Sequence, residues 1–184
     1  MPNAPFECPT PLFIYIHPES KSNKVTMRYG QGIGYAFNGG LPESEGCLKH
    51  PVYVATHSDS KYILVSDFGS KSVKVYDTAE REFIRAIRRP DDVPMARLDP
   101  RGVCEGFTRE VLVCDYKNNQ ILEFNILGKF ISAHTHANLA CASFPILKPI
   151  AIAIHKEKRL LAVAHSTSDN QGCVSIFSPA PDRA

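Results

Sequence analysis

The 184-residue sequence lacks any apolar run approaching the ~18 residues that a membrane-crossing helix needs. Its start, Met1-Pro2-Asn3-Ala4-Pro5-Phe6-Glu7-Cys8, has neither a basic region nor an apolar signal core, so nothing there points to secretion. An excess of one charge is also lacking. The formal net charge is +2, and any electrostatic preference must be local. Six cysteines stand at positions 8, 47, 104, 114, 141 and 173, with no CxxC and no zinc-finger or RING spacing. Cys104 and Cys114 lie in apolar segments, where a free thiol behaves as a small hydrophobe. The expectation is reduced thiols in a cytoplasmic protein. Helical periodicity is missing, because no window carries an i, i+3, i+4, i+7 apolar stripe. The G-x-S-x-G elbow, the phosphate loop and the dinucleotide fingerprint are missing too.

What is present is ordinary globular composition, 43% hydrophobic and 22% charged, enough to bury a core. It is organised as a repeat. Leu64-Val65-Ser66-Asp67-Phe68 is echoed by Leu112-Val113-Cys114-Asp115-Tyr116, and the two aspartates are 48 residues apart. A looser echo, Ala162-Val163-Ala164-His165, follows 50 further on. Each is followed by a polar turn and a second apolar stretch: Val73 to Tyr76, Ile121 to Phe124 and Val174 to Phe177. The units also open alike, on Pro51, Pro100 and Pro149, spaced 49 and 49. The first two close alike, on Phe83 to Ile87 and Phe130 to Ala133.

Four short stretches rich in Val, Ile, Tyr and Phe fall within each period, bounded by polar turns. In the clearest unit they are 51–56, 62–66, 72–77 and 82–87. Four strands per ~45–50 residues is the pattern of a propeller blade, which must stack on neighbours to bury its two faces. The expectation is an all-β propeller with an incomplete ring, since a closed ring needs ~4–8 blades. The expected divisions are 1–44, an N-terminal arm or partial blade; 45–97 and 98–145, full blades; 146–178, a partial blade; and 179–184, a tail. Within the first division, 12–16 and 25–29 read as middle strands of an earlier blade.

The segment Ile63 to Asp77, with Asp67, a small polar turn and a strand ending in Tyr76, resembles an NHL repeat. So does Val111 to Asn125, followed by Gly128-Lys129-Phe130-Ile131. The likeness covers about 45–178 and is nearest to the NHL domains of animal TRIM-NHL proteins. Departures are Ser72 and Gln120 where the family usually has Arg, and His165 where it has Asp. The resemblance implies a recognition module for protein or single-stranded RNA. Ubiquitin-ligase activity would need a RING that this sequence does not contain.

In such a blade, the turn between second and third strands shares one face with the links between blades. That face carries Phe68, Lys71, Tyr116, Lys117 and Asn119, and receives Arg88, Arg89 and Arg97 from one link. Aromatic rings beside cations suit single-stranded RNA, with bases stacked and phosphates held. The plainer alternative is that Phe68 and Tyr116 pack under the links. Likewise Arg81, Arg85, Arg88 and Arg89 are interleaved with Glu80, Glu82, Asp91 and Asp92 in a self-neutralising surface. Asp67 and Asp115 read as turn residues bonding backbone amides rather than catalytic acids.

The expectation is therefore a non-catalytic module, not an enzyme, with no cofactor and no metal. Its partners would be protein, single-stranded RNA, or itself through open propeller edges, and not a membrane. The alternatives are a metal-dependent propeller lyase or hydrolase and an inactive structural fragment. His134-Thr135-His136 offers two rings on one side of a strand, but no third ligand at matching spacing.

Overall fold

The computed structural model describes residues 12–16, 24–29, 34–37, 41, 43–57, 61–90, 97–135 and 145–178. Every regular element among them is a strand. They form four antiparallel sheets in chain order. The first holds β1 (Leu12–Ile16), β2 (Val25–Tyr29) and β3 (Gly34–Phe37). The second holds β4 (Pro51–Thr56), β5 (Tyr62–Asp67), β6 (Ser72–Asp77) and β7 (Phe83–Ile87). The third holds β8 (Pro100–Glu105), β9 (Val111–Asp115), β10 (Gln120–Phe124) and β11 (Phe130–His134). The fourth holds β12 (Leu147–His155), β13 (Leu160–Ser166) and β14 (Gly172–Phe177).

Each sheet is a meander, with sequential strands hydrogen-bonded neighbours. The register shifts just after Pro51 in β4, just after Pro100 in β8 and between Leu147 and Ala151 in β12. Proline donates no amide to a ladder, so it belongs where a strand begins or bulges. The 49-residue proline spacing thus marks the start of β4 and of β8 and the bulge in β12.

The sheets stack face to face, and alternation along the strands decides which face meets which neighbour. In the second sheet Leu64, Val73, Val75 and Ile87 point forward onto Val103, Val111, Val113, Leu122 and Phe124 of the third. The third sends Leu112, Cys114 and Ile121 forward onto Ile152, Val163 and Phe177 of the fourth. Val25 of the first sheet joins Leu48, Ile63, Val65 and Tyr76. Each fully buried aliphatic side chain contributes about 1.5–3 kcal/mol relative to exposure. Such stacking explains why β5 and β9 are buried on both faces. Their sequences are accordingly continuous apolar runs rather than alternating ones.

The first strands β4, β8 and β12 run side by side and need close approach. A Cβ on Gly102 of β8 would lie 2.7 Å from the Ala151 Cα and 2.9 Å from the Ile152 nitrogen of β12. Glycine at 102 is therefore a packing requirement.

Candidate cleft and loop-face site

Two buried aspartates organise one end of the stack. Asp67 closes β5 and accepts the backbone amides of His50 (2.6 Å) and Lys49 (3.0 Å), which belong to the link entering the same blade. Asp115 closes β9 and accepts the amide of Asp99 at 3.0 Å. In both blades the backbone bond is returned: the Phe68 amide donates to the His50 carbonyl, and the Tyr116 amide to the Asp99 carbonyl. Each aspartate also holds its own turn, Asp67 through Ser70 (2.7 Å) and Asp115 through Asn118 (2.8 Å) and Gln120 (2.9 Å). Ser72 joins the first network through Ser70 at 2.8 Å. The Ser72 and Gln120 departures therefore still feed the carboxylate networks. In the fourth sheet His165 bonds the Ser166 carbonyl and the Ser175 hydroxyl instead, each at 2.8 Å.

Cations complete both networks. The Lys74 ammonium is 1% exposed, lies 3.3 Å from the Asp67 carboxylate, and donates to the carbonyls of Glu45 and Cys47. Burial pushes the Asp67 carboxyl up, but the amides of Lys49 and His50, the Ser70 hydroxyl and the Lys74 charge outweigh it. The net result is a carboxyl held below its ordinary range. Arg89 crosses from the link after β7 to reach Asp115 of the next blade at 3.5 Å. Arg88 pairs with Glu45. Asp91 and Asp92 of the self-neutralising surface expected around 80–92 lie outside the described residues. Among the described residues, Arg88 and Arg89 find carboxylates in the 43–49 segment and in the next blade.

Between these parts lies a cavity of about 550 Å³. The 43–49 segment, the β5–β6 turn at Gly69 to Lys71, and the link residues Arg88 to Pro90, Arg97 and Leu98 line it. Lys74, Arg88 and Arg89 are tied to Asp67, Glu45 and Asp115. Lys49, Lys71 and Arg97 line the same cavity and form no ion pair among the described residues.

The structure divides the sequence-derived site. Lys71, Arg88 and Arg89 stand on the cleft. Phe68 and Tyr116 stand beside it, half-buried, joined by Arg101, whose guanidinium carbon is 4.7 Å and 5.0 Å from their ring centres. Lys71 also covers Phe68 at 3.3 Å, and His50 meets the same ring edge-on at 5.5 Å. Lys117 and Asn119 are exposed and absent from the cleft wall, with Asn119 accepting the Lys148 amide at 2.8 Å. Sequence reasoning missed Lys49, Lys74 and Arg101. A signal existed for Lys74, which sits between Val73 and Val75 on a strand whose faces are both covered.

At the other end of the first strands lies a second polar cluster. Glu105 meets Lys156 at 2.9 Å and His57 at 3.6 Å, and His57 contacts the Arg109 carbonyl at 3.4 Å. The His134 ring bonds Glu123 (2.8 Å) and Ser132 (3.0 Å), while His136 lies outside the described residues. No group of three metal-ligating side chains occurs among the described residues. No helix there is long and apolar enough to cross a membrane.

No protein-family model matches the chain, and no curated protein matches it in sequence. Solved structures match it in fold. A catalytically inactive virginiamycin B lyase from Staphylococcus aureus, solved with quinupristin, is 15% identical with a TM-score of 0.53, over 88% of this chain and 50% of its own. A luciferin-regenerating enzyme is 12% identical with a TM-score of 0.57, over 84% of this chain and 51% of its own. Hydrazine synthase from Kuenenia stuttgartiensis is 13% identical with a TM-score of 0.54, over 76% of this chain and 36% of its own. The chain spans about half the length of the first two and about a third of the last. At such identities the likeness is one of fold. Among the described residues the chain is an all-β, propeller-type protein whose ring is not closed.

Two expectations change. The likeness supports the propeller and nothing finer, so the NHL assignment is not carried over. The expectation that the chain is not an enzyme is overturned, because proteins named as enzymes share its fold. The physical reason lies in the architecture. Successive blades each contribute single side chains to a shared face, so a propeller site leaves no contiguous motif in the sequence.

Proposed function

We propose that the cleft lined by the 43–49 segment, the β5–β6 turn, Arg88 to Pro90, Arg97 and Leu98 binds a small organic anion as substrate, in a propeller of the catalytic kind represented by its fold neighbours. The observation that carries this is the set Lys49, Lys71 and Arg97, which line one cavity without an ion pair among the described residues. Three such cations repel one another, and a phosphate or carboxylate between them relieves that repulsion. A cavity of about 550 Å³ suits a small molecule. Its floor is fixed, since Lys74 and Arg89 are held by buried aspartates. Positioned charge of that kind binds an anion without reorganising.

Single-stranded RNA or a protein segment on the same face is the reading that the NHL resemblance favours. Arg101 between Phe68 and Tyr116, and Lys71 on Phe68, occupy space that stacked bases would need. Calorimetric titration with pyrophosphate and, separately, with oligouridylate tests the proposal. Saturable pyrophosphate binding that weakens about tenfold or more in Lys71→Ala with Arg97→Ala supports it. Binding of the oligonucleotide alone would move the assignment to RNA.

A further inference from the structure

The cleft is not lined by cations alone. Glu43 and Glu45 stand on the same cavity as Lys49, Lys71 and Arg97. Glu45 is engaged, since it pairs with Arg88. Glu43 is exposed and forms no ion pair among the described residues. The segment that carries it is pinned from the interior. The hydroxyl of the fully buried Tyr76 donates to the Gly46 carbonyl at 2.6 Å. The buried Lys74 ammonium donates to the carbonyls of Glu45 and Cys47. The Ser44 amide and hydroxyl both donate to the Leu41 carbonyl, at 2.9 Å and 2.8 Å, closing a turn that contains Glu43. This carboxylate therefore stands on backbone that buried side chains hold in place, on a cavity it shares with three cations it does not neutralise.

We infer that the cleft selects an anion that also carries a protonated amine, with Glu43 receiving the ammonium group while Lys49, Lys71 and Arg97 receive the anionic end. This rests on the anion-binding reading of the cleft and narrows it to a class of ligand. A simple anion gains from the three cations but is repelled by the Glu43 carboxylate. An amine at the far end of the ligand turns that repulsion into attraction. A carboxylate offers only acceptors and an ammonium group only donors, so the two match without rearrangement. One fixed group thus favours the amine-bearing ligand and disfavours its amine-free analogue, the two halves of specificity. The cavity of about 550 Å³ leaves room for a short carbon chain between the two charges.

The test is NMR-monitored titration of the folded chain with phosphoethanolamine and, separately, with propyl phosphate, at low salt and near neutral pH. The two differ only in an ammonium group where the other has a methyl. Phosphoethanolamine should bind about threefold or more tightly, the scale of a partly exposed charge pair. Glu43→Gln should abolish that preference and leave propyl phosphate binding as tightly as before or more tightly. Glu43 is exposed, so this variant is expected to keep the fold, which circular dichroism checks. Lys71→Ala with Arg97→Ala should weaken both ligands alike, because it acts on the end they share. Equal affinity of the two phosphates for the wild type, or a preference that survives Glu43→Gln, overturns the inference and leaves the anion site standing. Binding of neither phosphate overturns it as well, and pyrophosphate binding then decides whether the anion site falls with it.

Discussion

The Asp67 carboxylate and the Lys74 ammonium lie 3.3 Å apart, and neither side chain is more than 1% exposed. A buried pair of this kind gains little over a well-packed apolar pair, but loss of one partner leaves the other charge stranded. Lys74→Met also releases the Glu45 and Cys47 carbonyls. The expected cost is about 3–5 kcal/mol by urea denaturation. Asp67→Asn, which strands Lys74, is expected to cost a similar amount.

The same aspartate sets an acid limit. Its carboxyl titrates below the ordinary range in the folded chain. A group depressed in the folded state stabilises fully above its unfolded value and loses that contribution as pH falls through the folded value. The window therefore lies below about pH 4. Thermal melts taken down this range should show a stability loss that Asp67→Asn largely removes. An unchanged slope in that variant would contradict the assignment.

Gly102→Ala should destabilise by about 1–3 kcal/mol, because the added methyl meets the β12 backbone, which cannot swing aside as a flexible side chain could. Chemical denaturation measures it. A neutral result would mean that the first strands are not packed as closely as described.

The thiols should fall into two groups. Burial pushes the Cys104 thiol up to about 12, and Cys114 is likewise raised, first by burial. All four described cysteines are free; Cys114 is buried, while Cys47, Cys104 and Cys173 are partly exposed, so at Cys104 it is the raised thiol rather than full burial that slows reaction. A disulfide reagent at mildly alkaline pH should leave Cys104 and Cys114 unmodified until the chain unfolds. Rapid labelling of both in the folded protein would contradict this.

The blades were legible because strand, turn and proline recur at one period. Sheets that stack on both faces also demand apolar residues throughout, as in 63–65 and 111–114. The expected strands at 51–56, 62–66, 72–77 and 82–87 match β4 to β7 within one residue at each end. The cleft was less legible. Lys71, Arg88 and Arg89 could be placed on its face by counting strands. The partners of Arg88 and Arg89, Glu45 and Asp115, are 43 and 26 residues away in sequence. Arg101 looked like the second residue of a strand, and only the approach of two turns reveals that it bridges Phe68 and Tyr116. The expectation of a non-enzyme rested on the lack of a local motif, and sites shared between blades have no local spacing to read.

The most direct test of the anion cleft is calorimetric titration of the folded chain with pyrophosphate at low and high salt, in wild type and in Lys71→Ala with Arg97→Ala. One saturable site is expected, weakened by salt and weakened about tenfold or more in the double variant. No binding to folded wild type, or equal affinity in the two proteins, would contradict the account.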